Sequence, residues 1–137
     1  MPSIFLLLLL IILVILSGFL SGSETAITAT SKARILYKKK KGSKRAGYVL
    51  ELLDKKDNVI STLLLSNNLV NILASSLATA FFYDIFGVEG IFYATLIMTV
   101  VIVIFAEVLP KTYAINRPNR TALLISPIIY YLNKILF

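Results

Sequence analysis

From Gly90 to Ala106 the chain carries no charged residue. That run is nearly long enough to cross a bilayer, which takes about 20 apolar residues in helical form. Two further uncharged runs, Ile4 to Leu20 and Val59 to Phe82, repeat the constraint. The third run ends on a carboxylate, in Val103-Ile104-Phe105-Ala106-Glu107-Val108-Leu109-Pro110-Lys111. An ionisable group so close to the end of a span is a functional candidate by default. Pro110 has no N–H to give, and its ring crowds the carbonyl four residues back, so the Ala106 C=O is expected to lose its helical partner. A freed carbonyl beside a carboxylate offers hard oxygens, which suit Mg²⁺, Ca²⁺ or Na⁺. The alternative is that Glu107 only reaches the interface and pairs with Lys111, at the favourable i, i+4 spacing.

Composition supports a membrane chain and narrows its chemistry. The 137 residues are 58% hydrophobic, with a mean hydropathy of +0.85, and the apolar residues are concentrated in blocks. There is no Cys and no His. That excludes disulfides, thiolate or imidazole metal sites, and Ser-His-Asp or Cys-His catalysis. Only oxygen ligands remain. The net charge of +7 suggests nucleic acid at first sight, but the placement of the basic residues speaks for membrane topology and no nucleic acid is expected.

Taken in order, the first apolar block ends in Ser17-Gly18-Phe19-Leu20-Ser21-Gly22-Ser23 and imitates a signal peptide. Its leading residues Met1-Pro2-Ser3 lack the positive charge of an export signal, so a retained span over about 4–30 is expected. Positive charge follows the block, from Lys32 to Lys56, which places the N-terminus outside and this loop inside. The same loop can touch anionic lipid headgroups. Within it, Val49, Leu52 and Leu53 fall at helical spacing, predicting an interfacial helix over about 44–56. A second span over 59–82, an outside turn at Tyr83–Gly90 and a third span over 90–109 follow. Beyond them, 120–137 is apolar but broken by Pro127 and Lys134, predicting a second interfacial or re-entrant helix before a cytoplasmic C-terminus. The fold class is therefore all-α, an integral membrane protein in which residues 1–137 form one transmembrane domain.

Three polar stations meet at one depth. Ser17 and Ser21 share a face of the first span, and Gly18 and Gly22 form a parallel stripe that permits close approach of another helix. Asn67, Asn71 and Ser75 repeat every four residues on the second span; Asn71 and Ser75 are assigned to packing. At about 1.5 Å per residue, Ser21, Asn67 and Glu107 all fall in the inner part of a layer roughly 30 Å thick. Ser17, Ser21, Asn67, Ser66, Glu107 and the Ala106 carbonyl then supply a cage of oxygens around one negative charge. A small hard cation such as Mg²⁺ fits such a set, and a single carboxylate leaves it weakly enough held for release.

These stretches resemble the transmembrane domain of the CNNM/CorC family: Ser21-Gly22-Ser23-Glu24-Thr25-Ala26, then Ser66-Asn67-Asn68-Leu69-Val70-Asn71-Ile72, then Ala106-Glu107-Val108-Leu109-Pro110-Lys111. The resemblance covers essentially the whole chain. It implies three transmembrane helices, a belt of juxtamembrane helices, a homodimer in the cell membrane, and Mg²⁺ transport through an inward-facing cavity, with export driven by Na⁺. Its cation-site pattern falls on Ser17, Ser21, Ser66, Asn67, the Ala106 backbone and Glu107. Ala106 departs from the Gly common at that position, which a backbone ligand tolerates. Relatives continue into paired cytoplasmic CBS domains; the sequence has none, so a membrane domain without its regulatory part is expected. No covalent chemistry is implied, and the chain is not expected to be an enzyme. A membrane anchor that senses Mg²⁺ without carrying it is the alternative function.

Overall fold

The computed structural model describes residues 2–136. Backbone polar groups have no water to bond in a bilayer, so a chain this apolar must satisfy them internally, and helices do so within one segment. The described residues are almost wholly helical. In order they form α1 (Pro2–Ala29), α2 (Lys32–Lys40), α3 (Lys44–Asp54), α4 (Lys56–Phe86), α5 (Glu89–Val101), a π-helical segment (Ile102–Val108), α6 (Leu109–Asn116) and α7 (Pro118–Leu136). Three stretches are long and apolar enough to cross a membrane: Ile4–Ala29, Lys56–Phe86 and Glu89–Asn116. The last of these is one rod made of α5, the π segment and α6.

Several boundaries differ from the sequence reading, each for a local reason. The 31-residue α4 extends past the expected 59–82 at both ends. It takes up half of the expected outer turn, and α5 takes Glu89 and Gly90, leaving Gly87 and Val88 to reverse the chain. Gly87 has φ +73°, a left-handed conformation that glycine adopts freely, and a Cβ on Gly90 would collide with the Phe82 carbonyl. The third span runs on through Pro110 to Asn116, because the π segment absorbs the proline. Pro127 likewise sits inside α7 without ending it. The basic loop holds a helix where its charge predicts none: α2 is capped by Ser31, which accepts from the Arg34 N–H, and it buries Ile35.

α1 is the hub. It packs along α4 and against the π segment, α6 and α7. Its other face, with Ile4, Phe5, Leu8, Ile12 and Ile15 exposed, is left for lipid. Around the basic end, α2, α3 and α7 form a belt built on Ile35, Ala46, Val49 and Ala122. Asn119 ties the belt to α1, its Oδ1 accepting from the Thr30 hydroxyl at 2.6 Å and the Ser31 N–H at 2.8 Å.

Candidate functional site

α1 sets Ser17 and Ser21 one turn apart, and both are sealed, at 1% and 0% exposure. The Ser17 hydroxyl donates to Asn67 Oδ1 on α4 at 2.8 Å and also lies against Asn71 Oδ1. A serine hydroxyl has one hydrogen, so it satisfies only one of those amide oxygens. The other Asn must turn its NH₂ inward, or a cation must sit among the oxygens. Ser21 is starker still. Its Oγ is buried and has no hydrogen-bond partner among the described residues. An orphan of this kind costs about 1–3 kcal/mol. Its neighbours avoid that cost: Ser23 bonds back to the Phe19 carbonyl and Thr25 to the Ser21 carbonyl.

The π segment forms the third wall. In a π turn each N–H reaches back five residues. Leu109 accordingly gives its N–H to Ile104, and the next position, Pro110, has none to give. In this register the carbonyl that Pro110 leaves without a donor is Phe105, next to the Ala106 carbonyl expected from an α-helical register. It points at α1: a Cβ on Gly18 would lie 3.2 Å from the Phe105 oxygen and 3.2 Å from Pro110 Cγ. Ala106 is fully buried at the same crossing, its Cα 3.7 Å from that point. A Cβ on Gly22 would meet Pro110 at 3.4 Å. The Gly18/Gly22 stripe thus seats α1 against Pro110 within one chain.

Glu107 follows directly and is half-buried. It makes no ion pair; the one pair among the described residues is Lys32–Asp54, exposed, at 3.9 Å. The expected alternative partner, Lys111, forms no ion pair with it. Ser66 is half-buried on α4, and its side chain makes no hydrogen bond among the described residues. The structure thus joins Ser17 to Asn67 directly and brings the backbone preceding Glu107 against α1 between Ser17 and Ser21. Asn71, assigned to packing, makes such an interhelical contact with Ser17. The Phe105 carbonyl was not foreseen, since it depends on the π register.

The sequence profile described as cyclin M transmembrane N-terminal domain matches residues 8–137. The chain is 40% identical over 131 residues to the UPF0053 inner membrane protein YfjD of Escherichia coli (strain K12), covering 88% of this chain and 31% of that protein. It is 36% identical over 136 residues to a UPF0053 protein of Haemophilus influenzae, covering 99% of this chain and 32% of that protein. A putative DUF21 domain-containing chloroplastic protein of Arabidopsis thaliana is 32% identical over 124 residues, covering 89% of this chain and 18% of that protein. The chain spans about a third or less of the length of these relatives.

Proposed function

This chain belongs to the CNNM family of cyclin M transmembrane N-terminal domains, and from that premise we propose that it is the membrane part of a Mg²⁺ transporter. The observation that carries the reading is the buried Ser21 hydroxyl, without a hydrogen-bond partner among the described residues, beside a Ser17 faced by two amide oxygens. A cation placed among them relieves both defects at once. The ligand set is Ser17, Ser21, Ser66, Asn67 and Glu107 with the Phe105–Ala106 carbonyl edge, and Asn71 stands beside it. All are hard oxygens, and one carboxylate leaves a bound Mg²⁺ at net +1, which favours turnover over storage. In the arrangement seen here Ser17, Ser21 and Asn67 are closed off, while Ser66 and Glu107 keep some exposed surface. The ion's route therefore runs past Glu107, toward an inward-facing cavity that opens when α1 and the π segment part.

Na⁺, needing less charge, takes the same oxygens once Mg²⁺ has left, which couples its gradient to Mg²⁺ export. The protein works as a homodimer in the cell membrane. Gly18 and Gly22 are spent inside the chain, so the dimer contact uses other faces. Liposomes reconstituted with the purified chain and loaded with a Mg²⁺ indicator test the reading. Mg²⁺ flux above that of protein-free liposomes, steepened by an opposing Na⁺ gradient, is the expected result. Intact Mg²⁺ binding with no flux would instead establish a sensing scaffold.

A further inference from the structure

The transport reading leaves one charged cavity unused, where α3, α4 and α7 meet at the basic end of the spans. It encloses about 360 Å³ and is lined by Glu51, Lys55, Asn58, Tyr130, Asn133 and Lys134. That volume lies within the roughly 300–1,000 Å³ of small-molecule sites. Its depth follows from its neighbours. Lys55 immediately precedes the membrane helix α4. α7, which forms the other wall, exposes Leu124, Ile128, Tyr131 and Ile135 at helical spacing. Such a helix lies in the membrane–water boundary with its apolar stripe toward the acyl chains. The cavity beside it is therefore level with lipid headgroups.

Its charges are held apart. Glu51, Lys55 and Lys134 share the cavity, yet the one ion pair among the described residues involves none of them. Both signs remain available to a ligand. α4 starts here with no side-chain cap, which leaves first-turn N–H groups and the positive end of a long helix at this edge. Asn133 is buried, with one end of its amide against Thr62 at 3.2 Å, and it lines the cavity as well. Also lining the cavity, the Glu51 carboxylate sits beside the Tyr130 hydroxyl and pushes its pKa up.

We propose that this cavity binds the headgroup of phosphatidylethanolamine, with the phosphate on Lys55, Lys134 and the first turn of α4, and the primary ammonium on Glu51. A purely anionic headgroup would leave Glu51 facing a phosphate. A choline headgroup has no N–H to give to Glu51. Soluble phosphoethanolamine shares the chemistry but lacks the acyl chains that the neighbouring α7 stripe would hold.

The test is lipid retention by native mass spectrometry, with thermal melting, on the full chain in detergent. Phosphatidylethanolamine, phosphatidylglycerol and phosphatidylcholine are added at equal mole fraction, and phosphoethanolamine serves as the soluble arm. The parent is expected to retain phosphatidylethanolamine preferentially and to melt highest with it. The double variant Lys55→Gln/Lys134→Gln is expected to lose about tenfold or more in retention, a change of roughly 1.4 kcal/mol. Glu51→Gln is expected to keep phospholipid binding but lose the preference for the ethanolamine headgroup. All three side chains are exposed, so both variants should match the parent's melting temperature without lipid. Undiminished retention by the double variant, undiminished preference in Glu51→Gln, or equal stabilisation by soluble phosphoethanolamine would each overturn the proposal.

Discussion

Pro110 and Pro127 both lie within continuous helical stretches, and the protein treats the hydrogen bonds they remove in opposite ways. Pro127 denies a donor to the Leu123 carbonyl in α7. There the loss is made good: the Ser126 hydroxyl donates to Leu123 O at 3.0 Å, and Arg45 reaches from α3 to Leu123 O at 3.5 Å and Leu124 O at 3.3 Å. At Pro110 no side chain among the described residues is brought in. The backbone widens to a π turn, the lost bond moves back to Phe105, and that oxygen is turned toward Gly18 beside two buried serines. The belt proline is repaired, and the span proline is left open where a cation would repair it.

The largest expected effect comes from filling the gap at the open proline. Gly18→Val puts carbon against the Phe105 oxygen and the Pro110 ring, and overpacking of this kind costs typically about 1–3 kcal/mol. A clear fall in melting temperature, with loss of any stabilisation by Mg²⁺, is predicted. A variant as stable as the parent would show that α1 is not seated there.

Pro110→Ala sharpens the contrast. It restores an N–H, lets the rod return to α-helical register and closes the Phe105 carbonyl. Stability without Mg²⁺ should hold or rise, while Mg²⁺ affinity falls by about tenfold, or roughly 1.4 kcal/mol. Melting curves with and without the ion separate the two quantities. Unchanged Mg²⁺ affinity would remove the π segment from the site.

The smallest effect belongs to the repaired proline. Arg45→Ala removes a donor that water can replace at this exposed position, so a loss of about 0.5–1.5 kcal/mol is expected, with no change in the response to Mg²⁺. Thermal melting in a Mg²⁺ series checks both parts. A variant that lost its Mg²⁺ response would show that the belt and the site are one unit.

Much of this was readable in the residues, and what was not has a common cause. Uncharged runs gave the spans, and the common depth of the Ser21 and Asn67 stations pointed to the contact between α1 and α4. Pro110 announced a freed carbonyl beside Glu107, but which carbonyl depends on the number of residues per turn, and no residue type encodes a π turn by itself. The Glu107–Lys111 pairing that simple helical spacing allowed is not formed. α2 was missed because Lys32–Lys40 is dominated by charge; its helix rests on the Ser31 cap and a single buried side chain, Ile35.

The central claim is that the buried oxygens of α1 and α4, completed by Glu107, hold Mg²⁺. Calorimetric titration of Mg²⁺ into the purified chain and into Glu107→Gln tests it most directly, because the substitution keeps the shape and removes the only charge at the station. Saturable binding by the parent, weakened by about tenfold or more in the variant, is predicted, a difference of roughly 1.4 kcal/mol or greater. Equal affinity in the two proteins would contradict the account.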